Sequence, residues 1–187
     1  KKKRMCLILG DNIFYGSDLK KNFLKISNLK KNSIIGYQVS KPQNYGVINF
    51  KNKKIISISE KPKKPKSNFA VTGIYFYKNY IFNYLKKLKP SKRNELEIID
   101  LLNIYRKKNK LSAEYIGRGG AWLDTGSIED YYKTSIFVHA IENRQGLKIA
   151  CLEEIALNHG WISKNHIKRS ISFYGQCDYS NYLKKLL

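Results

Sequence analysis

Short apolar runs alternate with polar stretches along this chain, and the first run sets the pattern. Met5 to Leu9 is continuously apolar and ends abruptly in Gly10-Asp11-Asn12. A run of strand length followed at once by turn residues predicts a buried strand of an α/β sheet. Ile13 to Gly16 reads as a loop, Ser17 as a helix cap, and Asp18 as a first-turn carboxylate that complements the helix dipole. Leu19, Phe23 and Ile26 recur at helical spacing, predicting a helix to about Leu29. Ser33–Val39, Tyr45–Phe50 and Ile55–Ser59 read as strands, the last two joined by the polar turn Lys51-Asn52-Lys53-Lys54. Glu60-Lys61-Pro62 ends that pair, and Phe69–Tyr77 is a further strand, rich in aromatic and β-branched residues around Gly73.

In the second half, Asn79 caps a helix carrying Ile81, Leu85 and Leu88, closed by Pro90. A helix bearing Ile98, Leu101, Leu102 and Tyr105 follows Glu95-Leu96-Glu97, and Leu111–Ile116 is a strand. Gly117 to Gly120 loops into Ala121-Trp122-Leu123-Asp124-Thr125-Gly126. Ser127 with Asp130 forms a capping box for a helix to about Asn143, with Tyr131 and Tyr132 expected in the core. From Gln145 the chain reads as a short extended piece and two or three small helices. Strand–helix alternation interrupted by a hairpin predicts an α/β fold, a mixed sheet with helices on both faces. The division expected is residues 1–145 as one part and 146–187 as a small helical extension.

Composition narrows this reading. At 187 residues with 42% hydrophobic content, the chain can bury one sizeable core. No apolar run reaches membrane-span length, and nothing has the pattern of a signal peptide. Cys6, Cys151 and Cys177 are odd in number and far apart, neither a disulfide framework nor a metal motif, which fits a reducing cytoplasm. The formal net charge of +22 raises nucleic-acid binding as a possibility. Its lysines, however, run the length of the chain in the company of Asn and Ile, as A/T-rich codons would favour. They read as solvated faces, with no specific nucleic-acid partner. The opening Lys1-Lys2-Lys3-Arg4, without an initiator methionine and close to a core-type strand, reads as the middle of a protein.

Four stretches stand at strand ends or turns, where α/β sheets bind ligands: Leu9-Gly10-Asp11-Asn12, Tyr45-Gly46-Val47, Glu60-Lys61-Pro62 and Trp122-Leu123-Asp124-Thr125-Gly126. Two carboxylates, Asp11 and Asp124, are enough to hold one Mg²⁺ whose other positions are filled by water and phosphate. Lys61, fixed beside a proline, offers an ammonium to a phosphate, and Gly46 allows a backbone to approach a ligand closely.

Together with Asn44-Tyr45-Gly46-Val47, Pro65 to Tyr77, Glu95-Leu96-Glu97-Ile98, Arg144 to Lys148 and Glu153 to Ala156, these stretches resemble the sugar-1-phosphate nucleotidylyltransferases, most closely the thymidylyl-transferring branch. The resemblance runs from Cys6 to about Trp161. It implies a partial Rossmann-like nucleotidyltransferase fold, a sugar 1-phosphate and a nucleoside triphosphate as substrates, Mg²⁺, a cytoplasmic setting and homo-oligomeric assembly. Asp11 and Asp124 would be the metal ligands. Gly46, Glu60, Lys61, Val71, Tyr75 and Arg93 would hold the sugar phosphate, Glu60 by accepting sugar hydroxyls and Lys61 by its charge. Arg93 is followed by Asn94 where the family has glycine. The family's opening Gly-x-Gly-Thr-Arg loop has no counterpart here, so the expectation is a carboxyl-terminal portion carrying the sugar-phosphate and metal half of the site. The alternative is a non-catalytic relic or a binding and assembly module.

Overall fold

The computed structural model describes residues 4–52, 54–78, 81–86, 88–91 and 94–187. The chain divides into two compact units, Lys1–Gly126 and Ser127–Leu187. The division expected from the sequence falls later, at residue 145; the first compact unit ends before it.

A six-stranded mixed sheet organises the first unit. Its strands are β1 (Arg4–Ile8), β3 (Asn32–Gln38), β4 (Gly46–Lys51), β5 (Lys54–Glu60), β6 (Phe69–Lys78) and β7 (Leu111–Tyr115). The order is β5-β4-β6-β3-β7, with β1 also on β6. Among the described residues only the β3–β7 pair is parallel. Strand β6 is the spine: β3 covers one edge, while β4 at Ala70 and β1 from Ile74 to Lys78 share the other.

Alternation sends neighbouring residues to opposite faces. Ile34, Val71 and Tyr75 join Leu101, Leu102 and Tyr105 of helix α3 (Ile98–Lys107) in one core. Ile35, Ala70 and Ile74 join Ile26 of helix α1 (Leu19–Asn28) in the other. Helices therefore lie on both faces, as the pattern predicts. A 3-10 turn (Pro42–Asn44) precedes β4, and the helix read from Ile81 to Leu88 is a single turn, α2 (Phe82–Leu85). Asn79, Lys53 and Arg93, expected as a cap, a turn residue and a phosphate ligand, lie outside the described residues.

Three expectations are corrected. Met5–Ile8 does fall in a strand, β1, but not a buried one: Leu7 is 44% and Ile8 59% exposed, because β1 pairs with β6 alone among the described residues. The supposed loop at 13–16 is strand β2 (Asn12–Tyr15), and Ala121–Asp124, given no element in the sequence reading, is strand β8; the two pair antiparallel as a separate ribbon. The cap of α1 is Asp18 rather than Ser17, without a side-chain capping bond.

The second unit is helical: α4 (Ile128–Gln145), α5 (Leu152–Asn158), α6 (Lys164–Tyr174) and α7 (Asp178–Lys184). Ser127 caps α4 by accepting from the Asp130 amide, as its spacing predicts, and left-handed Gly146 ends it. Cys151, Ile167, Tyr182 and Leu183 form its small core. Tyr131 and Tyr132, expected in a core, are exposed. Among the described residues no helix is long and apolar enough to cross a membrane.

Candidate functional site

The β2–β8 ribbon is what brings the two aspartates together. Asn12 stands opposite Asp124 in its register, and the next position is closed by the Thr125 amide and hydroxyl, which both donate to the Asp11 carbonyl at 2.9 and 2.8 Å. The directly opposed pairs are thus Asn12 with Asp124 and Asp11 with Thr125, so the ladder brings the two aspartates to the same end of the ribbon, one position out of register. The Gly126 amide donates to Asp124 Oδ1 at 3.2 Å, and Asn12 Nδ2 donates to Asp11 Oδ1 at 2.6 Å.

That end of the sheet holds a cavity of about 280 Å³. Asp11, Gly46, Glu60, Lys61, Val71, Tyr75 and Asp124 all line it, so every described residue singled out from the sequence meets there. Each arrives by a local cause. Gly46 opens β4 opposite Glu60, the last residue of β5. The Lys61 amide then donates to the Tyr45 carbonyl at 3.1 Å, ending the ladder and lifting Lys61 out with a left-handed φ of 37°. For a non-glycine residue that conformation costs roughly 1 kcal/mol or more and is typical of functional sites. Val71 and Tyr75 are presented by β6. The Tyr75 hydroxyl is raised well above its usual pKa, first by burial and then by the Glu60 and Asp11 carboxylates. It stays a neutral donor through the working pH range.

Several lining residues have no ligand role in the sequence reading, in which Trp122 is packing at the cleft wall. Glu97 sits at the start of α3 and accepts from Ser91 Oγ at 3.0 Å, and Ile99 lies close over Gly46. The Glu95-Leu96-Glu97 signature was visible, but its position just before a helix suggests capping before it suggests a ligand. Trp122 forms a wall, edge-on to Tyr45 at 5.1 Å between ring centres, and its indole donates to Asn12 Oδ1 at 2.5 Å. Gly73, isolated inside a strand, was the sequence signal for a close approach at this point.

The donor set is hard oxygen. Among the described residues no three Asp, Glu, His or Cys side chains are grouped as a metal cage. A pair of carboxylates facing an open cavity suits a cation that retains water and takes phosphate oxygens, as Mg²⁺ does. It does not suit structural zinc.

A mixed sheet with helices on both faces and a paired-carboxylate cavity at its strand ends defines a class, and a family model confirms it: the nucleotidyl transferase model matches residues 1–141. The chain belongs to the nucleotidyl transferase family. Its relatives are more particular. It is 43% identical over 185 residues to the glucose-1-phosphate thymidylyltransferase of Neisseria meningitidis serogroup A, covering 98% of this chain and 64% of that protein. The enzyme of the same name from Neisseria gonorrhoeae is 44% identical over 186 residues, with the same coverage. Among solved structures, a Bacillus anthracis protein assigned as a glucose-1-phosphate thymidylyltransferase, in complex with a sucrose, superposes with a TM-score of 0.64 at 42% identity, covering 72% of this chain and 54% of that one. An apo UDP-glucose pyrophosphorylase gives 0.64 at 27% identity, covering 76% and 55%. The chain thus spans 64% of the length of each of the two Neisseria enzymes.

Proposed function

We propose that this chain carries the sugar-phosphate and cation half of a glucose-1-phosphate thymidylyltransferase site. The observation supporting this reading is that residues scattered from Asp11 to Asp124 line one cavity of the size of a small ligand. The names of the relatives point to glucose 1-phosphate and a thymidylyl donor, read here as dTTP; a homo-oligomer in the cytoplasm as the working form rests on the sequence resemblance alone.

In the reaction, a phosphate oxygen of the sugar phosphate attacks the α-phosphorus of dTTP. The bond from that phosphorus to the bridging oxygen breaks, and pyrophosphate leaves with the electron pair. Such displacement depends on alignment and on neutralising charge rather than on a proton shuttle. Lys61 neutralises the sugar phosphate, Glu60 accepts sugar hydroxyls, and Tyr75 donates from the cavity floor. Gly46 and Val71 line the cavity in which the sugar would sit. Asp11 and Asp124 would hold Mg²⁺, which would supply withdrawal of charge from the phosphate oxygens.

Calorimetric titration with glucose 1-phosphate in the presence of Mg²⁺ tests the proposal. Saturable binding that is lost in Lys61→Ala and weakened in Glu60→Gln is expected. No binding by the wild-type chain, or binding indifferent to both substitutions, would overturn it.

A further inference from the structure

Asn12 stands where two groups of opposite hydrogen-bonding character meet. The Trp122 indole N–H can only donate, and it donates to Asn12 Oδ1 at 2.5 Å. The Asp11 carboxylate can only accept, and Asn12 Nδ2 donates to its Oδ1 at 2.6 Å. A carboxamide presents one acceptor and one donor on a single rigid plane. The indole therefore dictates which way the amide faces, and the amide in turn dictates where the carboxylate points. The backbone beneath is shaped for this arrangement: a Cβ on Gly73 would lie 2.8 Å from both Cγ and Oδ1 of Asn12, closer than packed atoms come. The amide thus rests on the bare backbone of β6.

We infer that Asn12 is a positioning residue. Locked between Trp122 and the glycine floor at 73, it presets the Asp11 carboxylate for a divalent cation and mechanically links that cation to the indole wall. This rests on the reading of Asp11 as a cation ligand and adds to it the device that orients the ligand. Partners that orient a ligating carboxylate typically matter 10- to 100-fold in metal affinity.

The test uses Mn²⁺ binding followed by electron paramagnetic resonance, which requires no turnover. Wild-type chain should bind Mn²⁺ and Asp11→Asn should lose it; failure of either removes the cation reading and this inference with it. Given that behaviour, Asn12→Ala should weaken Mn²⁺ about ten-fold. Gly73→Ala should weaken it comparably by pushing the amide aside. The double variant Asn12→Ala/Gly73→Ala should bind like Asn12→Ala alone, since truncating residue 12 leaves nothing for the new methyl to displace. In a Trp161→Phe background, Mg²⁺ should shift the emission of Trp122, and Asn12→Ala should abolish that shift. Mn²⁺ affinity unchanged in a folded Asn12→Ala protein would overturn the inference while leaving the cation site standing.

Discussion

Gly46 and Ile99 fit so closely that a Cβ at 46 would lie 2.7 Å from Ile99 Cδ1 and 3.3 Å from Glu60 Oε2. Ile99 is almost fully buried in the first turn of α3, so it has little room to withdraw. Gly46→Ala is expected to destabilise the first unit by about 1–3 kcal/mol and to weaken glucose 1-phosphate binding by displacing Glu60. Adding Ile99→Val should recover part of both losses. Denaturant midpoints and calorimetry on the single and double variants check this, and an unaltered Gly46→Ala protein would contradict the contact.

Lys61 combines a left-handed backbone with an exposed ammonium in the cavity lining, so its two properties can be separated. Lys61→Gly should raise stability by about 0.5–1 kcal/mol, by relieving the conformation, while weakening sugar-phosphate binding by about 2–3 kcal/mol through loss of a charge-assisted partner. Lys61→Ala should lose the same binding without the gain in stability. Nucleotide affinity should change far less than sugar-phosphate affinity; equal losses for both ligands would refute the assignment.

Asp11→Asn and Asp124→Asn keep the shape of the ribbon but remove one negative charge each. In a protein spanning the relatives' full length, either change should reduce Mg²⁺-dependent pyrophosphate release at limiting Mg²⁺ by at least ten-fold. Wild-type rates in either variant would remove the carboxylate pair from the cation site.

Strand β1 presents Leu7 and Ile8 to solvent beside an edge that no described strand covers. Apolar edges of this kind pair with other chains. The 187-residue chain is expected to self-associate in sedimentation velocity, and more strongly as salt rises, because the +22 net charge is then screened. Ile8→Lys should shift the distribution towards monomer. A monodisperse wild-type monomer at high salt would contradict this.

In the second unit, Glu142 accepts from Lys148 Nζ at 2.6 Å and from the Ile149 amide at 2.8 Å. Burial alone would raise its carboxyl, but these partners outweigh burial and hold it below the usual carboxylate range. A depressed folded-state value contributes stability above the ordinary Glu range, and that contribution is lost as pH falls through the depressed value. Glu142→Gln should cost about 1–2 kcal/mol at neutral pH, and thermal melts of the two proteins should converge on acidification below the carboxylate range. A gap that persists at low pH would assign the effect to packing instead.

The sheet strands from β3 to β7 and the capped helix α4 were legible because their apolar periods and turn residues are local properties of the chain. The ribbon was not. Asn12–Tyr15 and Ala121–Asp124 are four-residue segments that become strands only by pairing with each other across most of the first unit. Apolar content likewise indicates that β1 is fit for burial, not what covers it, and Leu7 and Ile8 are exposed for that reason. The cavity-lining residues were readable from motif order, whereas Asn12, Gly73 and Trp122 act through contacts with one another that spacing does not reveal.

Gly73 also lies where β6 is irregular: Ile34 pairs with Tyr75 but Gly36 with Val71, so β6 bulges, and Thr72 Oγ1 satisfies the Ile35 carbonyl across the gap at 3.1 Å. Sliding β6 by one residue would bring Thr72 or Ile74 beneath Asn12, a side chain where only hydrogen fits. Misthreading of the central strand and loss of the Trp122–Asn12–Asp11 contacts are therefore the same event. A chain that folds with this spine out of step cannot retain a half-working site, and the glycine acts as a built-in check on assembly.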